Sequence, residues 1–218
     1  MILCSGCSKS GTHFLTSLMV AMGKEQLGGT LIKRPKSKLY STSIRPLSDL
    51  LSHERDGSHY MHGHLIHRAP LVERLKGHRH IFILRHPRNI AISWMRHRIK
   101  QNPELEAGPV LLEQIIRGGM FGHEVPKFIS LHLDWQHEPE TLTVRFEDLA
   151  ARDMAVLEKI CAYVGEPTNP DLYDKAFGAS STFTGSFSTW SDDPIWTDAV
   201  EQAWQDTGGP RVEEAAGY

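Results

Sequence analysis

Three cysteines, Cys4, Cys7 and Cys161, are all that the chain contains. They are too few and odd in number for a disulfide framework, so the fold has to stand on burial alone in a reducing compartment. No apolar run approaches the roughly 18 residues needed to span a bilayer, so no membrane span is expected. Neither sign of charge dominates. Lys+Arg number 24 and Asp+Glu 26, a net charge of −2, which excludes bulk electrostatic attraction to nucleic acid and leaves only a local basic pocket for a small anion. The opening residues Met1-Ile-Leu-Cys have no basic stretch before them, and the expectation is a cytoplasmic protein without a leader. Internal repeats are absent, and no segment is rich enough in Pro, Gly or Ser to act as a linker. The sequence carries no sign of its oligomeric state.

What is present suits an ordinary globular protein: 40% hydrophobic and 23% charged residues over 218 positions. That length is about one and a half times the roughly 150-residue domain prior, and we read residues 1–218 as a single domain. Histidine is the abundant residue. There are 13, of which nine lie between His53 and His97, so the net charge should turn positive as pH falls through about 6.5.

Apolar spacing alternates between strand and helix. Met1 to Leu3 reads as a strand, followed by a small-residue loop and a helix over 12–22 carrying Phe14, Leu15, Leu18, Met19 and Met22 on its apolar positions. The stretch 24–58 has no pattern that fixes its structure. His59 to Ile66 leads into Pro70 to Lys76. His80-Ile-Phe-Ile-Leu84 reads as a fully buried parallel strand that runs into a helix opened by Pro87. Helical patterns follow at 109–117 and 125–135, then a strand at 141–146 and a helix at 154–164 stopped by Gly165 and Pro167. A loop over 178–196 and a short helix over 197–205 close the chain. Strands alternating with helices predict an α/β fold of three layers, with a central parallel β-sheet flanked by helices.

The loop Cys4-Ser-Gly-Cys-Ser-Lys-Ser-Gly-Thr12 lies between a strand and a helix. Small residues let backbone N–H groups converge on an anion, the helix start adds partial positive charge, and Lys9 adds a full one. It is not a Walker A loop, because Gly11 is followed by Thr12 and not by Lys. The alternative reading of Cys4 and Cys7 as a redox pair stays open at this point. A second basic stretch, Arg85-His-Pro-Arg-Asn-Ile-Ala-Ile-Ser93, places Arg85 at the carboxyl end of a strand, where open α/β sheets bind ligands, and Ser93 on the next helix.

These two stretches resemble the 3′-phosphoadenosine 5′-phosphosulfate (PAPS) dependent sulfotransferases. Ser8-Lys-Ser-Gly-Thr12 resembles the family's 5′-phosphosulfate loop Lys-Ser-Gly-Thr-Thr-Trp, with His13 and Phe14 in place of the final Thr-Trp. Arg85 and Ser93, eight positions apart, resemble its 3′-phosphate element. Phe146-Glu-Asp-Leu149 resembles its Tyr-Glu-Asp-Leu strand end. Phe183-Thr-Gly-Ser-Phe-Ser-Thr-Trp190 matches its late loop only at Gly185 and Trp190, and Phe183 and Thr184 replace two cations that the family uses on the 3′-phosphate. The resemblance spans residues 1 to about 205.

It implies a P-loop-like phosphosulfate-binding loop and donor contacts from Ser8, Lys9, Ser10, Gly11, Thr12, His13, Phe14, Arg85, Ser93, Phe146, Thr184 and Gly185. Arg88 is left as a further cation for the 3′-phosphate, and Phe14 as the ring that stacks on adenine. The implied reaction is in-line transfer of the sulfuryl group from PAPS to a hydroxyl or amine of a small-molecule acceptor, with adenosine 3′,5′-bisphosphate as product and no metal. Lys9 stabilises the leaving oxygen, and His64, in His62-Gly-His-Leu-Ile66, is the general base. His62 is its runner-up, His59 and His67 follow, and on an extended strand His62 and His64 share a face that also suits zinc. Two other functions stay open: a P-loop nucleotide kinase, against which the missing Walker Lys-Ser/Thr pair counts, and a catalytically silent nucleotide-binding protein.

Overall fold

The computed structural model describes residues 1–27, 31–33, 39–41, 57–119, 122–179 and 189–218. The chain divides into two compact units, Met1–Leu84 with Asp134–Ser186 and Arg85–Leu133 with Phe187–Tyr218.

The first unit is built on a sheet. Its strands among the described residues are β1 (Ile2–Gly6), β2 (Glu25–Gln26), β3 (Leu31–Lys33), β4 (Leu39–Ser41), β5 (His59–Gly63), β6 (Arg79–Leu84) and β7 (Thr141–Arg145). The order is β4-β3-β5-β1-β6-β7, with β2 also on β5, and every pairing is parallel except β3 with β4. Strand β1 is central and buried along its whole length, which is three residues further than its apolar run indicates. Cys4 and Ser5 can extend it because β5 and β6 take up their backbone groups on both sides.

Side chains alternate across the sheet. Ile2, Cys4, Ile81, Ile83 and Val144 pack on one face against helices α1 (Thr12–Ala21), α7 (Met154–Val164) and α8 (Asp171–Ala179) through Phe14, Leu15, Leu18, Leu157, Ile160 and Tyr173. Each such fully buried side chain contributes on the order of 1.5–3 kcal/mol. On the other face the buried His80 bonds Ser5 Oγ at 2.6 Å and Thr141 Oγ1 at 3.0 Å, and lies edge-on to Trp135. Trp135, in the 3₁₀ turn Asp134–His137, donates its indole N–H to the Leu65 carbonyl. Helix α2 (Ala69–Leu75) precedes β6, and α6 (Phe146–Ala150) follows β7 at once. Helices therefore flank a central, mostly parallel sheet, the predicted α/β class.

The second unit is helical: α3 (Pro87–Gln101), α4 (Pro109–Ile116), α5 (Val125–Leu133), α9 (Asp198–Asp206) and α10 (Gly209–Ala216), with a 3₁₀ turn at Trp190–Asp192. Its core includes Ile90, Met95, Leu112, Ile115, Ile129, Val200 and Trp204. Gly209 is required here, since a Cβ at that position would lie 2.2 Å from the Trp204 indole. Helices α8 and α10 are absent from the reading of the sequence. In α10 the opening Gly209-Pro210 has the look of a turn, and it is instead a helix start that tolerates proline in its first positions. No helix among the described residues is long and apolar enough to cross a membrane.

Candidate active site

In the first unit, β1 ends at Gly6 and α1 begins at Thr12, and the loop between them is closed by the Ser10 N–H donating to the Cys7 carbonyl at 3.0 Å. Two positions hold left-handed backbone. Lys9 has φ 76°, costly for a residue with a Cβ and a conformation that clusters at functional sites. Gly11 has φ 102°, and a Cβ there would sit 2.3 Å from the Phe146 ring. Phe146 thus braces the loop from beneath.

Helix α1 has no side-chain cap; the Phe14 N–H donates to the Gly11 carbonyl at 2.9 Å, and the N–H groups of Thr12 and His13 ahead of it precede any carbonyl of the helix that could accept them. Ser10 is 1% exposed, and among the described residues its Oγ has no hydrogen-bond partner. A buried hydroxyl without a partner costs roughly 1–3 kcal/mol, and a bound oxyanion removes that cost. The loop fits a phosphosulfate group on these grounds. Thr12 is buried and His13 exposed at the start of α1, with Ser8 half-buried before Lys9. Phe14 is 2% exposed and packs in the core against Phe177, 4.7 Å between ring centroids.

The histidines separate clearly. His67 bonds Glu138 at 2.6 Å and rests on Trp135, and His59 pairs with Glu25 and Ser58. His64 instead lies near Lys9 and His13, and His62 near His13 and His64. Strand β5 ends at Gly63, so His64 leaves the sheet while His62 stays in it, paired in register with Cys4.

His64 Nδ1 is 3.0 Å from the Gly6 carbonyl oxygen. A carbonyl only accepts, so Nδ1 carries the hydrogen and Nε2 keeps its lone pair. Burial lowers the His64 pKa; the Gly6 carbonyl works the other way, and the charges of His13 and Lys9 lower it further. The ring is neutral near pH 7. In His62, 7% exposed, Nδ1 faces Gln26 Nε2 at 3.5 Å, and Gln26 Oε1 in turn accepts from the Tyr60 hydroxyl. Burial first, then His13 and His64, push His62 down to about 4. His13, whose ring lies 5.8 Å from that of His62, is also lowered by burial and by Lys9.

The cysteine pair does not have the character of a redox site. Cys4 and Cys7 are buried, and burial raises both thiols well above the ordinary range, which suppresses the nucleophilic thiolate. Among the described residues no group of three His, Cys, Asp or Glu is placed to hold a metal ion.

In the second unit, Arg85 follows β6 directly, and Ser93 sits about two turns into α3. Arg88 is not a free cation beside them. It bonds both Glu201 and Glu213 and lies with its guanidinium 4.0 Å from the centre of the Trp190 ring. Its donors are thus taken up by carboxylates, which counts against Arg88 as a candidate ligand of the 3′-phosphate. Its partners are 113 and 125 residues away, and no local signal announces them. Gln26, which orients His62, lies in the segment whose sequence carries no pattern. Thr184 and Gly185 lie outside the described residues.

Comparison with known proteins agrees with these features. The profile of the family described as "Sulfotransferase domain" matches residues 1–182. No curated protein sequence matches the chain. Among solved structures, mouse sulfotransferase SULT7A1 complexed with PAP is 14% identical with a TM-score of 0.70, the match covering 99% of this chain and 87% of that one. Retinol dehydratase in complex with androsterone and PAP is 14% identical with a TM-score of 0.63, covering 94% and 80%. A sulfotransferase from Alicyclobacillus acidocaldarius is 15% identical with a TM-score of 0.55, covering 99% and 94%. At these identities the structures establish a shared fold, and the profile match over most of the sequence establishes the kinship: the chain belongs to the sulfotransferase family, whose members are PAPS-dependent enzymes.

Proposed function

We propose that this sulfotransferase, acting as one domain, moves a sulfuryl group from PAPS to a hydroxyl or amine of a small acceptor, with His64 as general base. PAPS supplies the activated sulfuryl group and leaves as adenosine 3′,5′-bisphosphate. The observation that carries the reading is the contact of His64 Nδ1 with the Gly6 carbonyl, because it assigns the free lone pair to Nε2.

A neutral Nε2 accepts the proton of the acceptor as its oxygen or nitrogen attacks. The imidazolium that forms is disfavoured by burial and by the Lys9 charge, so it returns the proton readily to solvent. His62 is the weaker candidate, since its Nδ1 already faces the Gln26 amide and its buried ring resists protonation down to about 4. Lys9, the Ser10 hydroxyl and the N–H groups from Gly11 to His13 hold the 5′-phosphosulfate end. Lys9 offsets the charge that develops on the leaving oxygen. Arg85 and Ser93 take the 3′-phosphate by guanidinium fork and hydroxyl. Thr184 and Gly185 remain proposed neighbours of that phosphate.

A thermal-shift panel tests this reading. Adenosine 3′,5′-bisphosphate at a hundredfold excess over its Kd should stabilise the protein by about 2.7 kcal/mol, while ATP with Mg²⁺ and zinc alone should do little. Stabilisation by ATP with Mg²⁺ and none by the bisphosphate would favour a nucleotide kinase. A screen of acceptors with sulfur-labelled PAPS then identifies the second substrate and separates an active enzyme from a silent binder.

A further inference from the structure

Arg88 sits in surroundings that its place in the basic motif does not suggest. It is 8% exposed, and four of its guanidinium hydrogen bonds go to two carboxylates. Its Nε and Nη2 reach Glu213, and its Nη1 and Nη2 reach Glu201. The planar guanidinium lies against two indoles, 4.0 Å from the centre of Trp190 and 5.1 Å from that of Trp196. Trp196 adds its own N–H to Glu201 at 2.8 Å. Burial pushes the Glu201 carboxyl up, but the bonds from Trp196 and Gln205 and the charge of Arg88 outweigh it and hold the group below its ordinary range. It therefore stays ionised at neutral pH and keeps its grip on the arginine.

Trp190 is the link to the motif. Its indole N–H points at His86 Nε2 at 3.1 Å, and His86 is the residue between Arg85 and the first residue of α3. The Arg88 N–H faces the other ring nitrogen at 3.3 Å. A neutral imidazole has a single acceptor nitrogen, so the shorter contact, from Trp190, is the stronger claim on it. The ring of Tyr218 packs on His86 from another side, 4.7 Å between centroids, and Arg96 of α3 pairs with Asp193 just beyond Trp190 at 2.7 Å. A continuous set of contacts runs from Glu201 and Glu213 through Arg88 and Trp190 to His86, next to Arg85.

We propose that Arg88 is a positioning residue for the donor: the Arg88–Trp190–His86 contacts fix the strand-to-helix turn from which Arg85 reaches the 3′-phosphate. The inference rests on the assignment of Arg85 and Ser93 to that phosphate. A fork bonded to two carboxylates and stacked on indoles sets direction as well as charge, which a lysine at the same place does not. The turn cannot swing without breaking this half-buried ionic cluster, so Arg85 arrives already ordered.

Calorimetric affinities for adenosine 3′,5′-bisphosphate and adenosine 5′-monophosphate, which differ only in the 3′-phosphate, test this with wild-type protein and the variants Arg85→Ala, Arg88→Lys and Trp190→Phe. Arg88→Lys should weaken the bisphosphate about tenfold, equivalent to 1.4 kcal/mol. The monophosphate should change less than about twofold, and KM for PAPS should rise with kcat at saturation retained. Trp190→Phe, which keeps an aromatic face and loses the N–H, should shift the same ratio by a smaller factor and covers the case in which Arg88→Lys does not fold. Equal losses for both nucleotides, or no loss for either, would show a purely structural arginine and overturn the inference. If Arg85→Ala itself leaves the ratio unchanged, the 3′-phosphate assignment fails and the inference falls with it, a result distinct from failure of Arg88 alone.

Discussion

The loop between β1 and α1 and the turn between β6 and α3 are both strand-to-helix junctions carrying basic residues, and they treat their polar atoms in opposite ways. In the loop, Lys9 holds a left-handed backbone, and the buried Ser10 hydroxyl finds no acceptor or donor among the described residues. In the turn, Arg88 is closed off by two carboxylates and two indoles. Unmet polar capacity is what a ligand can satisfy, whereas a saturated cation belongs to the scaffold. The contrast separates a residue that binds from one that holds, although both stand in motifs rich in positive charge.

The largest expected effect comes from opening the sealed side. Arg88→Ala leaves Glu201 and Glu213 without their cation, and the cost is bounded by the roughly 3–5 kcal/mol of breaking a fully buried pair, since the Glu201 side chain stays 33% exposed. Denaturant unfolding should show that loss; a cost under about 1 kcal/mol would mean that the cluster is solvated and the contrast overstated.

Acid should expose a second difference. His80 is pushed down to about 3 by burial first and then by His67, and His62 is held at about 4. Both bind protons in the unfolded chain at about 6.5 and not in the folded one, so their stabilisation is full above that pH and is lost as pH falls toward the folded values. Together they should remove about 4 kcal/mol between pH 7 and pH 5, an order-of-magnitude figure. Glu201, lowered in the second unit, keeps its contribution until pH falls below its ordinary value of 4.5. Unfolding free energies that are flat from pH 7 to pH 5 would contradict the neutral burial of the two histidines.

The smaller effect is on turnover. Lys9→Ala should lower kcat by about 10²-fold, the lower end of what loss of one oxyanion donor costs. Its stability should change little, because a left-handed backbone position suits Ala no better than Lys. Unchanged kcat would remove Lys9 from the chemistry.

Much of this was legible in residue patterns. The buried strand at 80–84, the proline-opened helix after it and the helix ended by Gly165 all follow from local rules, and the structure places them within a residue or two. The loop between β1 and α1 was legible as a candidate anion site because its small residues, lysine and helix start are contiguous. Arg88 was not, since Arg85 and Arg88 are chemically alike and only the distant Glu201 and Glu213 tell them apart. The order among the histidines came from the family resemblance alone and not from residue patterns. His64 stands out through the Gly6 carbonyl, 58 residues away, and His62 is restrained by Gln26, 36 residues away. Contacts of that range are set by strand order, which hydrophobic spacing does not specify. Phe14 shows the same limit: its place in the motif suggests a ring for adenine, and its helical register turns it into the core against Phe177.

The most direct test of the central claim is the pH dependence of single-turnover sulfuryl transfer from labelled PAPS, measured for wild-type protein, His64→Ala and His62→Ala. Wild-type rates should rise with pH through an apparent pKa below the ordinary histidine value, the direction set by burial and by the neighbouring His13 and Lys9 charges. His64→Ala should lose that limb and about 10²-fold or more in rate while binding adenosine 3′,5′-bisphosphate as tightly as before, and His62→Ala should lose far less. A wild-type rate and an intact acid limb in His64→Ala would contradict the account.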